Sequence, residues 1–331
     1  MSGKVIVVGA KGRFGRNAVT AFQKANWQVR AYARNWDDGG GQHRSLYKNA
    51  DCLTGDITDT VGLTEASQGM DVILHAVNPP YPDWQEMLPQ FTQSALAAAQ
   101  ATGATLMIPG NVYNYGAGMP TLLRENTPHR PTTKKGRLRE TMEHNFKAAA
   151  NDGVRTIILR AGDFFEREKT GNWFDSFIAA KVGKGKVVYP GPLDRDHAWA
   201  YLPDLARAMV GLAEQRDQFA AFEEFGFPGH TLSGQDLINA IENTIGKSTK
   251  SAGFPWPLIQ VLGLVSPMLR EVNEMKYLWQ TPHRIDGTKL SHALPDFKET
   301  PLPVAIADAL VQQINEPPAQ SMFHQGSVRE A

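Results

Sequence analysis

The first half of the chain alternates short apolar runs, rich in β-branched residues, with longer amphipathic segments. The apolar runs predict six strands, at residues 4–8, 27–33, 51–53, 71–76, 105–109 and 155–159. The amphipathic segments predict helices at 14–25, 58–68, 84–101 and 134–151. Continuously apolar strands that alternate with helices are typical of parallel sheets covered on both faces. The pattern therefore predicts an α/β chain with a doubly wound parallel-sheet Rossmann fold.

The second half is richer in helices and turn residues. Helices are predicted at 203–214, 233–245, 270–278 and 304–314, and strands at 187–188 and around 222–227, the last as a candidate seventh strand of the main sheet. Ligands of doubly wound sheets bind at the carboxyl ends of the strands, so we expect this half to pack there. We divide the chain into a sheet domain (1–165), a smaller, mostly helical substrate-binding part (166–315) and a flexible tail (316–331).

Composition and charge exclude several classes of protein. The 331 residues are 42% hydrophobic and 21% charged, which indicates a packed core rather than a disordered or fibrous chain. Lys plus Arg equals Asp plus Glu, at 34 each, so no global field attracts nucleic acid or an anionic membrane. No apolar run approaches the roughly 18 residues of a membrane span. The single Cys52 fits a reducing compartment, so a cytoplasmic location is expected.

A glycine-rich turn, GAKGRFG, separates the first predicted strand from the first predicted helix. In such turns one glycine allows the tight bend, a second lets backbone N–H groups approach a pyrophosphate, and a third allows close packing of helix and strand. The turn predicts a dinucleotide site, and the alternative is a strand–helix turn without a ligand. The cofactor-binding residues predicted in this loop are Gly9, Lys11, Gly12, Arg13, Phe14 and Gly15.

The end of the second predicted strand bears on the choice of dinucleotide. Arg34 stands where NAD-binding proteins carry an acidic residue and NADP-binding proteins carry an arginine. Arg13 is expected to reach the same 2′-phosphate. The two arginines favour NADP(H), with NAD(H) as the alternative, although both residues also fit a solvated surface.

Residues after the third and fourth predicted strands complete the cofactor site. Asp56 and Ile57 are expected beside the adenine, and Ala76 and Asn78 beneath the nicotinamide ribose. Asp56 has a second interpretation, as the cap of the following helix. The sheet domain is thus predicted to be an NAD(P)-binding domain.

Five motifs lie along the chain: GAKGRFG from residue 9, GDITD from 55, DVILHAVN from 71, NVYNYG from 111 and YLPDLA from 201. Together they resemble the extended and atypical short-chain dehydrogenase/reductase superfamily, in particular the NAD-dependent epimerase/dehydratase family. The resemblance covers nearly the whole chain and implies an NAD(P)-dependent oxidoreductase or epimerase. We expect a small-molecule substrate and, as one option for the assembly, a homodimer.

The same resemblance implies a catalytic set from which this chain departs. The family uses a Ser or Thr together with a Tyr and a Lys in a YxxxK pair. Aligned through Tyr115 and Glu143, the Ser position falls on Asn111, the Tyr position on Lys135 and the Lys position on Arg139. This KxxxR pair resembles isoflavone reductase-like members, in which a lysine takes the acid/base role. Lys135 is therefore the candidate acid/base, and the alternative is an exposed basic helix face.

Further candidates lie near the expected substrate. Tyr113 and Tyr115 follow the fifth strand, where one phenol can donate a proton while the other lies in the core. The amide of Asn111 can polarise a substrate oxygen. The nine histidines show no HxH or HxxxH spacing, so no metal site is predicted. The substrate pocket is predicted at Tyr81, Asp163, Phe164 and Trp199.

We therefore expect an NADP(H)-dependent oxidoreductase of the atypical extended type that reduces a small, partly apolar substrate. One alternative is a sugar-nucleotide epimerase or dehydratase, which the missing tyrosine disfavours. A second is a non-catalytic NADP(H)-binding redox sensor, as in superfamily members that lack YxxxK. The apolar, proline-broken segment 254–269 is expected to be buried against the core or a partner subunit, with a lid and a membrane-facing patch as alternatives.

Overall fold

The computed structural model describes residues 3–36 and 46–315, so the predicted tail at 316–331 lies outside the described residues. None of the described helices is long and apolar enough to cross a bilayer. The strands are β1 (Lys4–Val8), β2 (Gln28–Ala33), β3 (Ala50–Thr54), β4 (Val72–His75), β5 (Thr105–Gly110), β6 (Leu122–Leu123), β7 (Thr156–Arg160), β8 (Asp163–Phe165), β9 (Lys186–Tyr189), β10 (Asp196–Tyr201), β11 (Phe222–Gly226), β12 (His230–Ser233), β13 (Lys250–Gly253) and β14 (Arg284–Ile285). The helices are α1 (Arg13–Lys24), α2 (Thr60–Ala66), α3 (Trp84–Thr102), α4 (Lys134–Ala149), α5 (Leu202–Glu214), α6 (Gly234–Ile245), α7 (Trp256–Leu262), α8 (Pro267–Glu274), α9 (Lys276–Gln280), α10 (Thr288–Ala293) and α11 (Leu302–Asn315).

Seven of the described strands form one parallel sheet in the order β3-β2-β1-β4-β5-β7-β11. The strand order reverses between β1 and β4, and the crevice at their carboxyl ends is where sheets of this kind bind ligands. The prediction of a doubly wound α/β fold is confirmed.

Helices cover both faces of the sheet because its strands are apolar on both sides. β1 contributes Val5 and Val7 to a core formed with α1 and α5, and Ile6 and Val8 to a second core beneath α2, α3 and α4. All four side chains are at most 1% exposed. This burial on both faces explains why a central strand such as β1 is a continuous apolar run rather than an alternating one.

The second half of the chain contributes to the same sheet. β11 occupies the position predicted near 222–227 and pairs with β7, while α5 packs against α1 on one face. β8 begins just beyond the carboxyl end of β7, so the small sheet of β8, β10 and β12 starts at the ligand-binding edge. A division at residue 165 therefore separates two segments that share one sheet.

The second half differs from the sequence prediction in several elements, since the sequence does not predict β8, β10, β12, β13 or β14. The helix predicted at 270–278 is two helices, because α8 ends before Met275 and α9 starts after it. The segment 254–269 is buried against the core only in part. Trp256 and Ile259 lie in the core, but Val261 on α7 and Leu264 and Val265 in the following turn are 63%, 81% and 82% exposed. Burial of this apolar face against a partner subunit stays a prediction.

The close approach of α1 to β1 depends on Gly15. A Cβ at this position would overlap the carbonyl oxygen of Gly9 and lie 2.9 Å from the Cα of Ala10. We expect Gly15→Ala to destabilise the protein by roughly 1–3 kcal/mol, the usual cost of overpacking. Chemical denaturation measures this change. Gly118→Ala is the control, because a Cβ there meets nothing within 4 Å, and equal losses in both variants would contradict the steric account.

Candidate active site at the carboxyl edge of the sheet

The predicted phosphate loop has the geometry of an anion site. Gly9 adopts a φ of 83°, a conformation that favours glycine. α1 begins directly after Gly12, and among the described residues no side chain caps its first N–H groups and no acidic residue stands in its first turn. Phe14 packs in the core at 3% exposure, so only its backbone belongs to the loop. Unpaired N–H groups at a helix N-terminus attract anions, so this loop fits a dinucleotide pyrophosphate.

The two arginines predicted to share a 2′-phosphate have different surroundings. Arg34 is exposed after the end of β2. Arg13 instead donates to the carbonyl oxygen of Thr170 at 2.9 Å, so its partner is the segment after β8. Lys11 lies near Arg34, because its Nζ donates to the backbone and side-chain oxygens of Asn35 at 2.9 and 2.8 Å. Among the described residues, the cations at this end of β2 are therefore Lys11 and Arg34.

The segment predicted to hold the adenine, Asp56 and Ile57, already makes contacts within the protein. Oδ1 of Asp56 accepts hydrogen bonds from the N–H and the hydroxyl of Thr58, both at 2.9 Å. This contact is a turn and not the predicted helix cap, because Asp59 caps α2 by accepting from Gly62. The Ile57 side chain is in the core at 5% exposure. In this segment, Oδ2 of Asp56 and the backbone are the groups that remain for a contact with adenine.

The KxxxR pair is buried, so the alternative of an exposed basic face is wrong. Lys135 is 1% and Arg139 is 8% exposed. Arg139 donates to Oδ1 of Asn78 at 3.0 Å, and its guanidinium lies 4.9 Å from the Trp84 ring. Its Nε is buried with no partner among the described residues. Burial, together with the Arg139 charge, lowers the pKa of His75 to about 3, so that ring is neutral.

Lys135 joins α4 to the C-terminal half of the chain. Its ammonium donates to the carboxylates of Glu271 and Glu274 and to the backbone oxygen of Glu271, all on α8. It also lies 4.9 Å from the centre of the Tyr81 ring. An ammonium has three N–H donors, and these contacts use all three. The acid/base role of Lys135 stays a prediction, but the observed contacts are those of an ion pair between two helices.

Two phenols meet near the carboxyl end of β5. The hydroxyl groups of Tyr81 and Tyr113 are 3.1 Å apart. Burial raises the pKa of both phenols, and the Asp163 carboxylate raises both further, so both keep their protons at neutral pH. Tyr115 lies elsewhere, 2% exposed and packed 5.2 Å from the guanidinium of Arg160. Both tyrosines are therefore buried, Tyr113 beside Tyr81 and Tyr115 beside Arg160.

A buried ion cluster that the sequence analysis missed joins three elements. Arg160, the last residue of β7, donates to Glu143 on α4 at 2.7 Å, to Glu224 on β11 at 2.6 Å and to the backbone oxygen of Asn111. Burial lowers the pKa of Arg160, but the two carboxylates raise it by more, so the guanidinium stays charged. Oδ1 of Asn111 accepts from the N–H of Tyr113 at 3.0 Å, so its amide stabilises this loop. The available signal was an arginine at the end of an otherwise apolar strand.

Asp163 has a buried histidine as its partner. Its Oδ2 lies 2.8 Å from Nε2 of His197 on β10. The prediction that Trp199 lines the pocket is wrong, because β10 is the middle strand of its small sheet and this indole is enclosed by the rings of His197 and Trp279 at 1% exposure. Phe164 packs half-buried against the core that contains α5.

A group of candidate metal ligands occurs where sequence spacing predicted none. The ligand atoms of His129, Glu140 and His144 all lie within 4.8 Å of one another. Spacing missed this group because His129 comes from the loop before α4, while the other two residues lie on that helix. His129 also approaches both carboxylates of the Arg160 cluster, but the guanidinium there opposes a cation.

These features agree with the comparison to known families. The model of the NAD dependent epimerase/dehydratase family matches residues 5–225, and the chain belongs to this family. The predicted resemblance is thereby confirmed, as is the prediction of an NAD(P)-dependent type of enzyme at the level of the family. No curated protein matches the chain closely enough to count as a relative.

Solved structures share the fold at low sequence identity. UDP-glucuronic acid 4-epimerase from Bacillus cereus in complex with NAD has a TM-score of 0.72 and 18% identity over 92% of this chain and 94% of that chain. UDP-glucose 4-epimerase from Brucella ovis in complex with NAD has a TM-score of 0.72 and 17% identity over 95% and 99%. UDP-N-acetylglucosamine 4-epimerase from Bacillus cereus has a TM-score of 0.73 and 14% identity over 94% and 99%. At such identities the likeness establishes the fold.

Removing the Lys135 ammonium should show how much the contact between α4 and α8 stabilises the protein. Lys135→Met leaves Glu271 and Glu274 without their shared cation. We expect a loss on the order of 3 kcal/mol, the low end for a broken buried pair, because the carboxylate side chains keep 18% and 23% exposure. Urea denaturation measures it. Lys134→Met, at the exposed neighbouring position, is the matched control, and equal stability of the two variants would refute the ion pair.

Proposed function

We propose that this protein is a hydride-transfer enzyme that binds NAD(P) at the turn between β1 and α1 and acts on a hydroxyl-bearing carbon of a small substrate. The observation that carries the proposal is a juxtaposition at one edge of the sheet. The phosphate loop and the polar groups that follow β4, β5 and β7 share this edge, as the binding crevice of a doubly wound sheet requires. These polar groups are Asn78 with Arg139, Tyr81 with Tyr113, and Asp163.

Within this proposal each group has a physical task. The N–H groups of the first turn of α1 bind the pyrophosphate, and Lys11 and Arg34 flank the adenosine ribose. Arg139, with its unpaired Nε, hydrogen-bonds the nicotinamide ribose. When bound, the nicotinamide supplies or accepts a hydride. Tyr81 and Tyr113 keep their protons and donate hydrogen bonds to a substrate oxygen.

Two substrate classes fit this step. The similar structures are UDP-sugar 4-epimerases, which supports a sugar-nucleotide substrate and an epimerase or dehydratase reaction. The reduction of a small, partly apolar substrate is favoured instead by Lys135 at the tyrosine position and by the rings of Tyr81 and Trp84, which pack edge to face at 5.4 Å. Both reactions need the same hydride step, so that step is tested first.

Dinucleotide binding and turnover test the proposal. We expect the full chain to bind NADPH or NADH in a fluorescence titration, and to turn over UDP-glucose, UDP-glucuronic acid or one of a panel of aromatic aldehydes. Gly12→Val should abolish binding, because a Cβ there lies 3.1 Å from the Gly9 oxygen and its branches fill the space where the pyrophosphate must approach. Gly118→Ala again serves as the control. Unchanged binding by Gly12→Val would refute the phosphate site, and binding without turnover of any probe would favour the redox sensor.

Cofactor preference tests the residues at the end of β2. If Lys11 and Arg34 hold a 2′-phosphate, NADPH binds more tightly than NADH, and added salt reduces the difference. Arg34→Asp should reverse the preference, because it replaces an attraction with a repulsion. Arg13→Met should change the preference little, because Arg13 bonds to Thr170 instead. Dissociation constants for both dinucleotides measure this, and equal wild-type affinities would contradict the NADP(H) assignment.

A further inference from the structure

We infer that Asp163, held by His197, is the group that exchanges a proton with the substrate hydroxyl. This inference rests on the proposed hydride-transfer function and assigns its missing acid/base. Asp163 lies just beyond the carboxyl end of β7, at the ligand-binding edge, and its side chain keeps 17% exposure. Its Oδ2 is fixed by Nε2 of His197 at 2.8 Å, while Oδ1 accepts no hydrogen bond from the described residues. One carboxylate oxygen is thus anchored, and the other is available to a ligand.

The histidine behind Asp163 is rigidly held. His197 is 2% exposed, and its ring stacks on Trp279 at 4.3 Å with an interplanar angle of 1°. His283 approaches it from the edge at 4.6 Å. Burial and the neighbouring His197 lower the pKa of His283 to about 3, so His283 stays neutral. Burying the polar imidazole of His197 costs free energy unless it is hydrogen-bonded, and its hydrogen bond is made to the Asp163 carboxylate.

Four phenols lie within the electrostatic influence of Asp163. Burial raises the pKa of each, and the Asp163 charge raises each further. Phenols that keep their protons donate hydrogen bonds but cannot accept a proton from a substrate alcohol. The four phenols are Tyr81, Tyr113, Tyr189 and Tyr277.

Neither cation of the KxxxR pair suits a base, whereas the carboxylate of Asp163 does. The ammonium of Lys135 has all three donors engaged by α8, and Arg139 cannot lose its proton. In the oxidative direction the substrate O–H bond breaks and its proton passes to Asp163, while the hydride on the same carbon passes to NAD(P)⁺ and the alcohol becomes a carbonyl. In the reductive direction protonated Asp163 returns the proton to the carbonyl oxygen as hydride arrives from NAD(P)H.

Substitution of Asp163 separates a catalytic from a structural role. With the substrate that the wild-type chain turns over, Asp163→Ala should lower kcat by about 10²–10⁴, the usual worth of an acid/base, and leave KM and dinucleotide affinity within about threefold. Formate, a small carboxylate, should restore part of kcat by entering the vacated space. Asp196→Asn is the matched control, because Asp196 is exposed beside His197 on β10.

A second readout does not depend on turnover. In proton NMR of the full chain, the Nε2 proton of His197 should give a downfield, slowly exchanging signal that Asp163→Ala removes and Asp196→Asn keeps. An unchanged His197 signal, or an active Asp163→Ala enzyme, would overturn the assignment. A kcat loss without rescue by formate would show a structural role and overturn it as well. A wild-type chain that turns over no probe would instead overturn the proposed function.

Discussion

One buried guanidinium connects the elements on which the site depends. Arg160 ends β7, and its contacts to Glu143 and Glu224 join that strand to α4 and to β11. Removing three charges from water costs several kcal/mol for each ion, so this cluster is stable only when it is complete. Because Glu143 shares one face of α4 with Lys135 and Arg139, anchoring Glu143 fixes the rotation of the helix and directs all three side chains inward.

The replacement of tyrosine by lysine changes how the two halves of the chain meet. A buried ammonium needs nearby carboxylates, and α8 supplies those of Glu271 and Glu274 to Lys135. The C-terminal half is therefore bound to the sheet domain by charge at the pocket itself. Under the proposed function, the proton is then transferred by another group at the same edge, for which we propose Asp163, hydrogen-bonded to His197.

The parts that sequence predicts well are those encoded locally. The central strands β1, β4, β5 and β7 are mostly apolar runs, and the phosphate loop is seven consecutive residues, so both can be predicted without knowledge of tertiary contacts. The pairing of Lys135 spans 136 and 139 residues, and no spacing rule reaches so far. The sequence left open whether this helix face is exposed or buried, because a row of charges on a helix has the same pattern whether it faces water or a buried cluster. Trp199 was misplaced for a related reason, since an aromatic residue near a pocket and one in the core look alike in sequence.

The late return of β11 has a consequence for how the chain folds as it leaves the ribosome. When β7 emerges, its outer edge has no partner until Phe222–Gly226 has been synthesised. Meanwhile the backbone groups along the outer edge of this five-residue apolar strand stay open to pairing with other nascent chains. Arg160 and Glu143 are already present in this interval, but Glu224 is not, so the ion cluster is also incomplete. Until β11 has been synthesised, the outer edge of β7 is therefore open to mispairing and aggregation.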